Sequence, residues 1–146
     1  MEVAMTYAHT VRYVHLGEPI NALMSWPVAV VETTDSLAEV ARALAENEVG
    51  AVLVLLDGEL VGVVSERDLT AATAAGAQGG VQVTAADVMT RDLVTVPPEA
   101  PLVEAARIMR EAHVRHLPVV SDGFITGVLS MRDLFEVMLR EADRPF

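Results

Sequence analysis

Between Val28 and Leu69 the spacing of hydrophobic positions changes several times, and each change predicts an element. Val28-Ala29-Val30-Val31 is short and mostly β-branched, which reads as a buried strand. Leu37, Val40, Ala41 and Leu44 then recur at i, i+3, i+4 and i+7, the apolar stripe of an amphipathic helix. Ser36 and Glu39 frame its start as a capping box, in which the serine closes a helix amide and the glutamate reaches back. Ala51 to Leu56 is unbroken apolar sequence, a strand covered on both faces. Asp57-Gly58 suits a two-residue type I′ turn, which needs positive φ at both central positions, and Leu60 to Val64 returns antiparallel. A second helix begins after Ser65 and fades into Gly76-Ala77-Gln78-Gly79-Gly80, a linker composition.

The same pattern then runs again. Met24–Leu69 aligns on Met89–Leu134 without a gap, at a constant offset of 65, and 17 of the 46 positions are identical. Leu93-Val94-Thr95-Val96 stands where the first strand stood. Leu102, Ala105, Ala106 and Met109 form the helix stripe, with Pro101 at the cap position. Asp122-Gly123 and Ile125 to Leu129 repeat the hairpin, and Ile20 to Trp26 matches Ala85 to Arg91 as a short lead-in. A repeat decides architecture before any local reading does. Each unit reads β-α-β-β-α, too little to close a core alone, so two units are expected to pack together. The expected class is α/β (α+β), with tandem β-α-β-β-α repeats about a pseudo-twofold axis. The expected layout is an N-terminal extension 1–19, repeats 20–76 and 85–141, a linker 77–84 and a tail 142–146. The last helix is apolar on more than one side, at Leu134, Phe135, Val137, Met138 and Leu139, which predicts a homodimer through helix faces.

Composition narrows the function classes. With 146 residues, 52% hydrophobic and 21% charged, the chain is globular rather than disordered. It has no cysteine, which excludes disulfides and thiolate chemistry. A net charge of −11 argues against nucleic acid, whose binders carry a basic patch or stripe. It leaves room for a small phosphate ligand, which needs only local positive potential. The first residues lack the basic and apolar regions of a signal peptide. The longest apolar run, 49–56, is far short of the about 20 residues that a bilayer span needs, so a soluble cytoplasmic protein with no membrane partner is expected. His113-x-x-His116 has no evident third ligand, and no Gly-x-Ser-x-Gly turn is present. Neither a metal site nor a catalytic residue is assigned.

Three strings, in order and mostly twice, carry a family resemblance. They are Val63-Val64-Ser65-Glu66-Arg67-Asp68-Leu69, Val114-Arg115-His116-Leu117-Pro118-Val119-Val120, and Val88-Met89-Thr90 followed by Val94-Thr95-Val96-Pro97. Over about residues 20–140 the chain resembles the CBS domain pair, or Bateman module, named for cystathionine β-synthase. The resemblance implies a regulatory sensor that binds adenosine nucleotides in clefts between the repeats. It implies that Ala29, Val49, Val63, Thr90, Val94, Val114 and Val128 line one cleft or the other. The plain alternative for each valine or alanine is core.

The chemistry of Ser65-x-x-Asp68 and Ser130-x-x-Asp133 is consistent with that. Each follows a strand and opens a helix, where free amides and the helix dipole favour phosphate. A serine hydroxyl donates to a phosphate oxygen, and an ionised carboxylate accepts from two adjacent ribose hydroxyls. Arg67 and Arg132 add candidate phosphate contacts. The same spacing is also a plain N-terminal cap, and one residue pair can be both.

Arg115 and His116 are the sharpest difference between the copies, since their counterparts are Gly50 and Ala51. A cation ahead of a buried strand either snorkels to the surface or meets an anion. The second reading makes the two clefts inequivalent. The leading expectation is thus a stand-alone, non-catalytic module. It would require no cofactor and take an adenosine nucleotide (AMP, ADP or ATP) as regulatory ligand, signalling in trans to an effector protein. The alternatives are a dimeric scaffold with vestigial clefts and a nucleotide-processing enzyme.

Overall fold

The structure, a computed structural model, describes residues 14–76 and 83–144. The proposed linker therefore lies mostly outside the described residues, as do most of the N-terminal extension and the end of the tail. No helix among the described residues is long and apolar enough to cross a membrane.

In the first half, strand β1 (Val30–Glu32) is followed by helix α1 (Leu37–Asn47), β2 (Ala51–Leu56), β3 (Glu59–Ser65) and α2 (Glu66–Ala74). The capping box forms as expected, with the Ser36 amide donating to Glu39 at 2.8 Å and the Glu39 amide donating to the Ser36 hydroxyl at 3.2 Å. Val40 and Leu44 turn inward. β2 is the central strand, parallel to β1 and antiparallel to β3. Asp57 and Gly58 have φ of 51° and 81°, the left-handed pair that a type I′ turn demands.

The second half holds a short helix α3 (Ala85–Val88), then α4 (Leu102–Ala112), β4 (His116–Ser121), β5 (Phe124–Ser130) and α5 (Met131–Ala142). The hairpin repeats down to its irregularity, a register shift at Val54/Leu55 and again at Val119/Val120. Two strand expectations need correction. β1 begins at Val30 rather than Val28. Its counterpart at 93–96 is no strand at all, only an isolated bridge from Val96 to Val119. Proline explains the loss. In the first half Leu53 donates to the Ala29 carbonyl and Thr33 to the Leu55 carbonyl. Their counterparts are Pro118 and Pro98, which have no N–H to give. Two of the rungs that hold β1 are thus removed from its twin. The Val96 amide to Pro118 and the Val120 amide to Val96 remain.

The two halves exchange their lead-in segments. The 3-10 turn Ile20–Ala22, at the start of the first repeat, packs in the second half's core with Leu102, Met109, Leu117 and Leu129. Ala85, at the start of the second repeat, packs in the first half's core with Val40, Leu44, Val52 and Val64. The backbone does the same. The Ile20 and Asn21 amides donate to Ala100 and Pro98, while those of Ala85 and Ala86 donate to Asp35 and Thr33. These are one set of bonds made twice, since every partner is shifted by 65. Ser25 bridges Val128, and Thr90 bridges Val63. Met24 and Met89 lie over Gly127 and Gly62, where no side chain stands in the way.

Residues 14–19 also dock on the second half. Pro101 has no side chain able to cap α4. The carbonyls of Glu18 and Leu16 accept instead from the Leu102 and Val103 amides, at 2.8 and 2.9 Å. The Leu16 amide in turn donates to Glu141 near the end of α5, at 2.9 Å.

Gly62→Ala tests the exchange. A Cβ there would run into Met89, with Cγ at 2.7 Å and Cβ at 2.9 Å. The substitution is expected to cost about 1–3 kcal/mol by overpacking, measured by urea unfolding. In a Met89→Ala background the same step should cost far less, because the obstruction belongs to the other repeat's lead-in. At Gly127 the Ser25 carbonyl also stands 3.0 Å from a Cβ, so Met24→Ala should relieve Gly127→Ala less. Equal costs with and without Met89 would contradict the packing.

Candidate functional site

β3 and β5 end where α2 and α5 begin, and the hand-over residues are Ser65 and Ser130. Both form complete caps. The Ser65 amide and hydroxyl lie 2.9 and 3.0 Å from Asp68 Oδ2, and the Asp68 amide donates back to Ser65 Oγ at 3.1 Å. The Ser130 amide and hydroxyl lie 3.3 and 2.8 Å from Asp133 Oδ2, and the Asp133 amide donates to Ser130 Oγ at 3.2 Å. In each cap one carboxylate oxygen takes every bond. The other oxygen, Oδ1, accepts none among the described residues. All four residues are half-buried, so the serines and carboxylates are anchored yet reachable.

The same capping geometry at Thr84–Asp87 opens α3. There the Thr84 amide, then its hydroxyl, hold the Asp87 carboxyl below the usual carboxylate range. It is one box among several, so a capping box alone does not mark a site.

The fold brings some of the expected residues together. Val63 and Thr90 exchange both backbone bonds, Val63 N–H to Thr90 at 3.1 Å and the reverse at 2.9 Å. Val128 does the same with Ser25, at 3.2 and 2.8 Å. Each cap is therefore approached by the lead-in of the other repeat. Ser25 was legible as the counterpart of Thr90 at the offset of 65, but only Thr90 carried a site reading. Ala29 and Val49 are half-buried against the first core, and Val94 and Val114 against the second. That packing is what the core alternative expected of them. Arg67, Arg115 and Arg132 are exposed, and their guanidinium groups make no hydrogen bond or ion pair among the described residues.

The copies' mismatch is a packing complement. His116 Nε2 and Cε1 lie 2.9 and 3.2 Å from the position a Gly50 Cβ would take. A ring on one half thus rests on the bare backbone of the other. Along the sheet His116 pairs with Ser130, just as Ala51 pairs with Ser65. The Gly50 carbonyl accepts from Glu66, the first residue of α2, at 2.9 Å, and the Arg115 carbonyl accepts from Met131, the first of α5, at 2.8 Å. Burial lowers the His116 pKa below its ordinary value, and Arg115 adds to this; Glu66, Asp133 and Asp68 pull the other way without winning.

A separate pocket of about 380 Å³ is lined by Thr33, Leu56, Val61, Ala86, Met89 and Arg91. It opens at the Leu56 end of β2, whereas the Ser65 cap stands at the Ala51 end. Along β3 the lining residue Val61 lies four residues from Ser65, roughly 13 Å. Neither cap lines this pocket, and the caps carry the polar groups.

The CBS domain family model matches the chain twice, over residues 20–75 and 85–140. The CBS domain-containing protein YhcV of Bacillus subtilis (strain 168) is 31% identical over 115 residues, 79% of this chain and 81% of that protein. The mitochondrial CBSX3 of Arabidopsis thaliana is 28% identical over 114 residues, and the match covers 75% of this chain and 55% of that protein. Among solved structures, the CBS domain protein PAE2072 from Pyrobaculum aerophilum, complexed with AMP, is 32% identical with a TM-score of 0.74, covering 86% of this chain and 99% of that one. An uncharacterized conserved protein from Pyrococcus horikoshii is 27% identical with a TM-score of 0.77, covering 91% and 98%.

The lowered pKa of His116 fixes the sign of a pH effect. The folded protein favours the neutral ring, so the stability it contributes is present above about pH 6.5 and is lost as pH falls through the lower folded-state pKa. Melting temperature should fall more steeply from pH 7.5 to 5 in the native chain than in His116→Gln. Parallel curves would show that the ring is not held neutral.

Proposed function

The chain belongs to the CBS domain family, and on that premise we propose that it is a regulatory module for an adenosine nucleotide. The ligand is of the AMP, ADP or ATP type and lies at the seam of the halves, one cleft at each cap. Asp68 and Asp133 receive ribose hydroxyls through Oδ1, the oxygen that the caps leave unengaged. Ser65 and Ser130, at the N-termini of α2 and α5, face the phosphate, and Arg67, Arg115 and Arg132 supply positive charge in an otherwise acidic protein. The observation that carries this reading is the pair of matching caps, each with a spare carboxylate oxygen beside an exchanged lead-in. The AMP bound by the Pyrobaculum neighbour supports the ligand class.

The module performs no chemistry in this reading. Ligand acts by its differential affinity for two arrangements of the halves or of two protomers, and a partner protein in trans senses the outcome. The exposed face of α5 supports a homodimer. Leu134 and Val137 are buried, while Met131, Phe135, Met138 and Leu139 are 41–55% exposed.

Nucleotide released from the denatured protein, identified by mass spectrometry, tests the ligand class directly. In thermal shift, AMP, ADP or ATP at about 100 times its Kd should stabilise by about 2.7 kcal/mol, roughly 5–11 °C for a chain of this size. Asp68→Ala with Asp133→Ala should abolish the shift, measured from the variant's own melting point because cap loss itself costs about 0.5–2 kcal/mol each. A shift that survives both changes refutes the site. No shift with any of the three at millimolar concentration favours the scaffold alternative.

A further inference from the structure

We propose that His116 is shared by both clefts, so that a phosphorylated ligand at either cap draws on one and the same proton. This rests on the caps being nucleotide sites. The pseudo-twofold axis that relates His116 to Ala51 also relates Gly50 to Arg115. A symmetric pair would offer each cleft its own ring. Here the large residues fall on one half and the small ones on the other, and a single imidazole lies across the seam on Gly50. Its own strand places it opposite Ser130, the cap of α5. The backbone under it, Gly50, holds the first amide of α2.

The charged groups that act on this ring come from both caps. Glu66 and Asp68 act on it from α2, Asp133 from α5, and Arg115 from the position just ahead of its strand. Neither ring nitrogen is hydrogen-bonded among the described residues, so the ring's donor capacity is not already spent within the protein. In the free protein burial outweighs the three carboxylates and the ring stays neutral. A phosphate adds negative charge at close range and favours the imidazolium, which is taken up as a proton from solvent. There is one ring for two clefts. The first ligand therefore meets the cost of protonation, and the second finds the charge already in place. That is a coupling between the sites, carried by a proton and reciprocal by linkage. It is lost at any pH acid enough to charge the ring without ligand, because nothing is then left to share.

Calorimetric titration with AMP at pH 7, in two buffers of different ionisation enthalpy, reads the proton count. AMP titrates on its own account, so the quantity is the difference between the native chain and His116→Gln. The native chain should take up as much as about one extra proton per chain, within the first equivalent of AMP and not the second. The ratio of second-site to first-site affinity should change with pH in the native chain and stay flat in the variant. Gly50→Ala, whose Cβ would displace the ring, should weaken the coupling while keeping the imidazole, and it carries the test if His116→Gln does not fold. Equal proton uptake and equal affinity ratios in native and variant chains, with AMP bound by both, overturn the sharing and leave the nucleotide reading intact. Failure of the native chain to bind AMP, ADP or ATP overturns both.

Discussion

Neither half of this molecule owns a complete core, and that constraint organises the rest. Ile20 fills the second half and Ala85 fills the first, both with no exposed surface. The amides at the start of each lead-in are closed by carbonyls of the opposite repeat. An unpaired buried amide is expensive, so separating the halves would orphan these groups as well as open two apolar cores. The exchange also sets where the caps sit. Thr90 lies on β3 and Ser25 on β5, so each cap is flanked by backbone from the other repeat. A ligand at the proposed site would touch both halves.

Symmetry is kept where the backbone needs it and dropped where side chains can trade places. The crossing hydrogen bonds, the turns, the register shifts and both Ser/Asp caps recur at the offset of 65. The departures are compensated one by one. Pro101 cannot cap α4, and the chain ahead of Ile20 supplies two carbonyls where Ser36 and Glu39 work in the first half. Pro98 and Pro118 dissolve a strand, and Val96 keeps the parallel contact with Val119. His116 intrudes on the seam, and Gly50 makes room for it.

What was legible in the sequence was whatever depends on near neighbours. Helix stripes, Asp-Gly turns and capping boxes are decided within a few residues, and the structure forms each of them. The Ser65/Asp68 and Ser130/Asp133 caps were found in this way, whereas the odd pair Arg115 and His116 came from comparing the two copies. The strand expected at 93–96 failed although the reason was in plain view. Its apolar residues suit a strand, but two of the amides needed to hold it belong to prolines, one of them on the neighbouring strand. The exchange of lead-ins and the seating of His116 on Gly50 were not legible, because a repeat predicts that two halves meet but not which surfaces do. The mismatch of Gly50 with Arg115 and of Ala51 with His116 is two differences in an alignment. Only in three dimensions does it become one contact.

The proposed binding site, being built on helix caps, has a consequence that a pocket in a rigid wall does not. The serine hydroxyls and the carboxylate Oδ2 atoms already hold the first turns of α2 and α5. A cap is worth about 0.5–2 kcal/mol, similar to the typical coupling energy of an allosteric pair. A ligand that adds bonds at Oδ1 or competes at Oγ therefore acts on helix anchoring at an energy that matters. The two helices then differ in what they transmit. In α2 no residue is fully buried, and the helix ends at Ala74, two residues before the positive-φ Gly76. α5 buries Leu134 and Val137, carries the exposed apolar face, and holds the Leu16 amide through Glu141 near its far end. An altered first turn at Ser130 is felt along one stiff element at the core, at the outer face and at the segment that closes α4. The second cap thus opens the helix that joins a core to an exposed apolar face, and His116 is paired in register with that cap's Ser130.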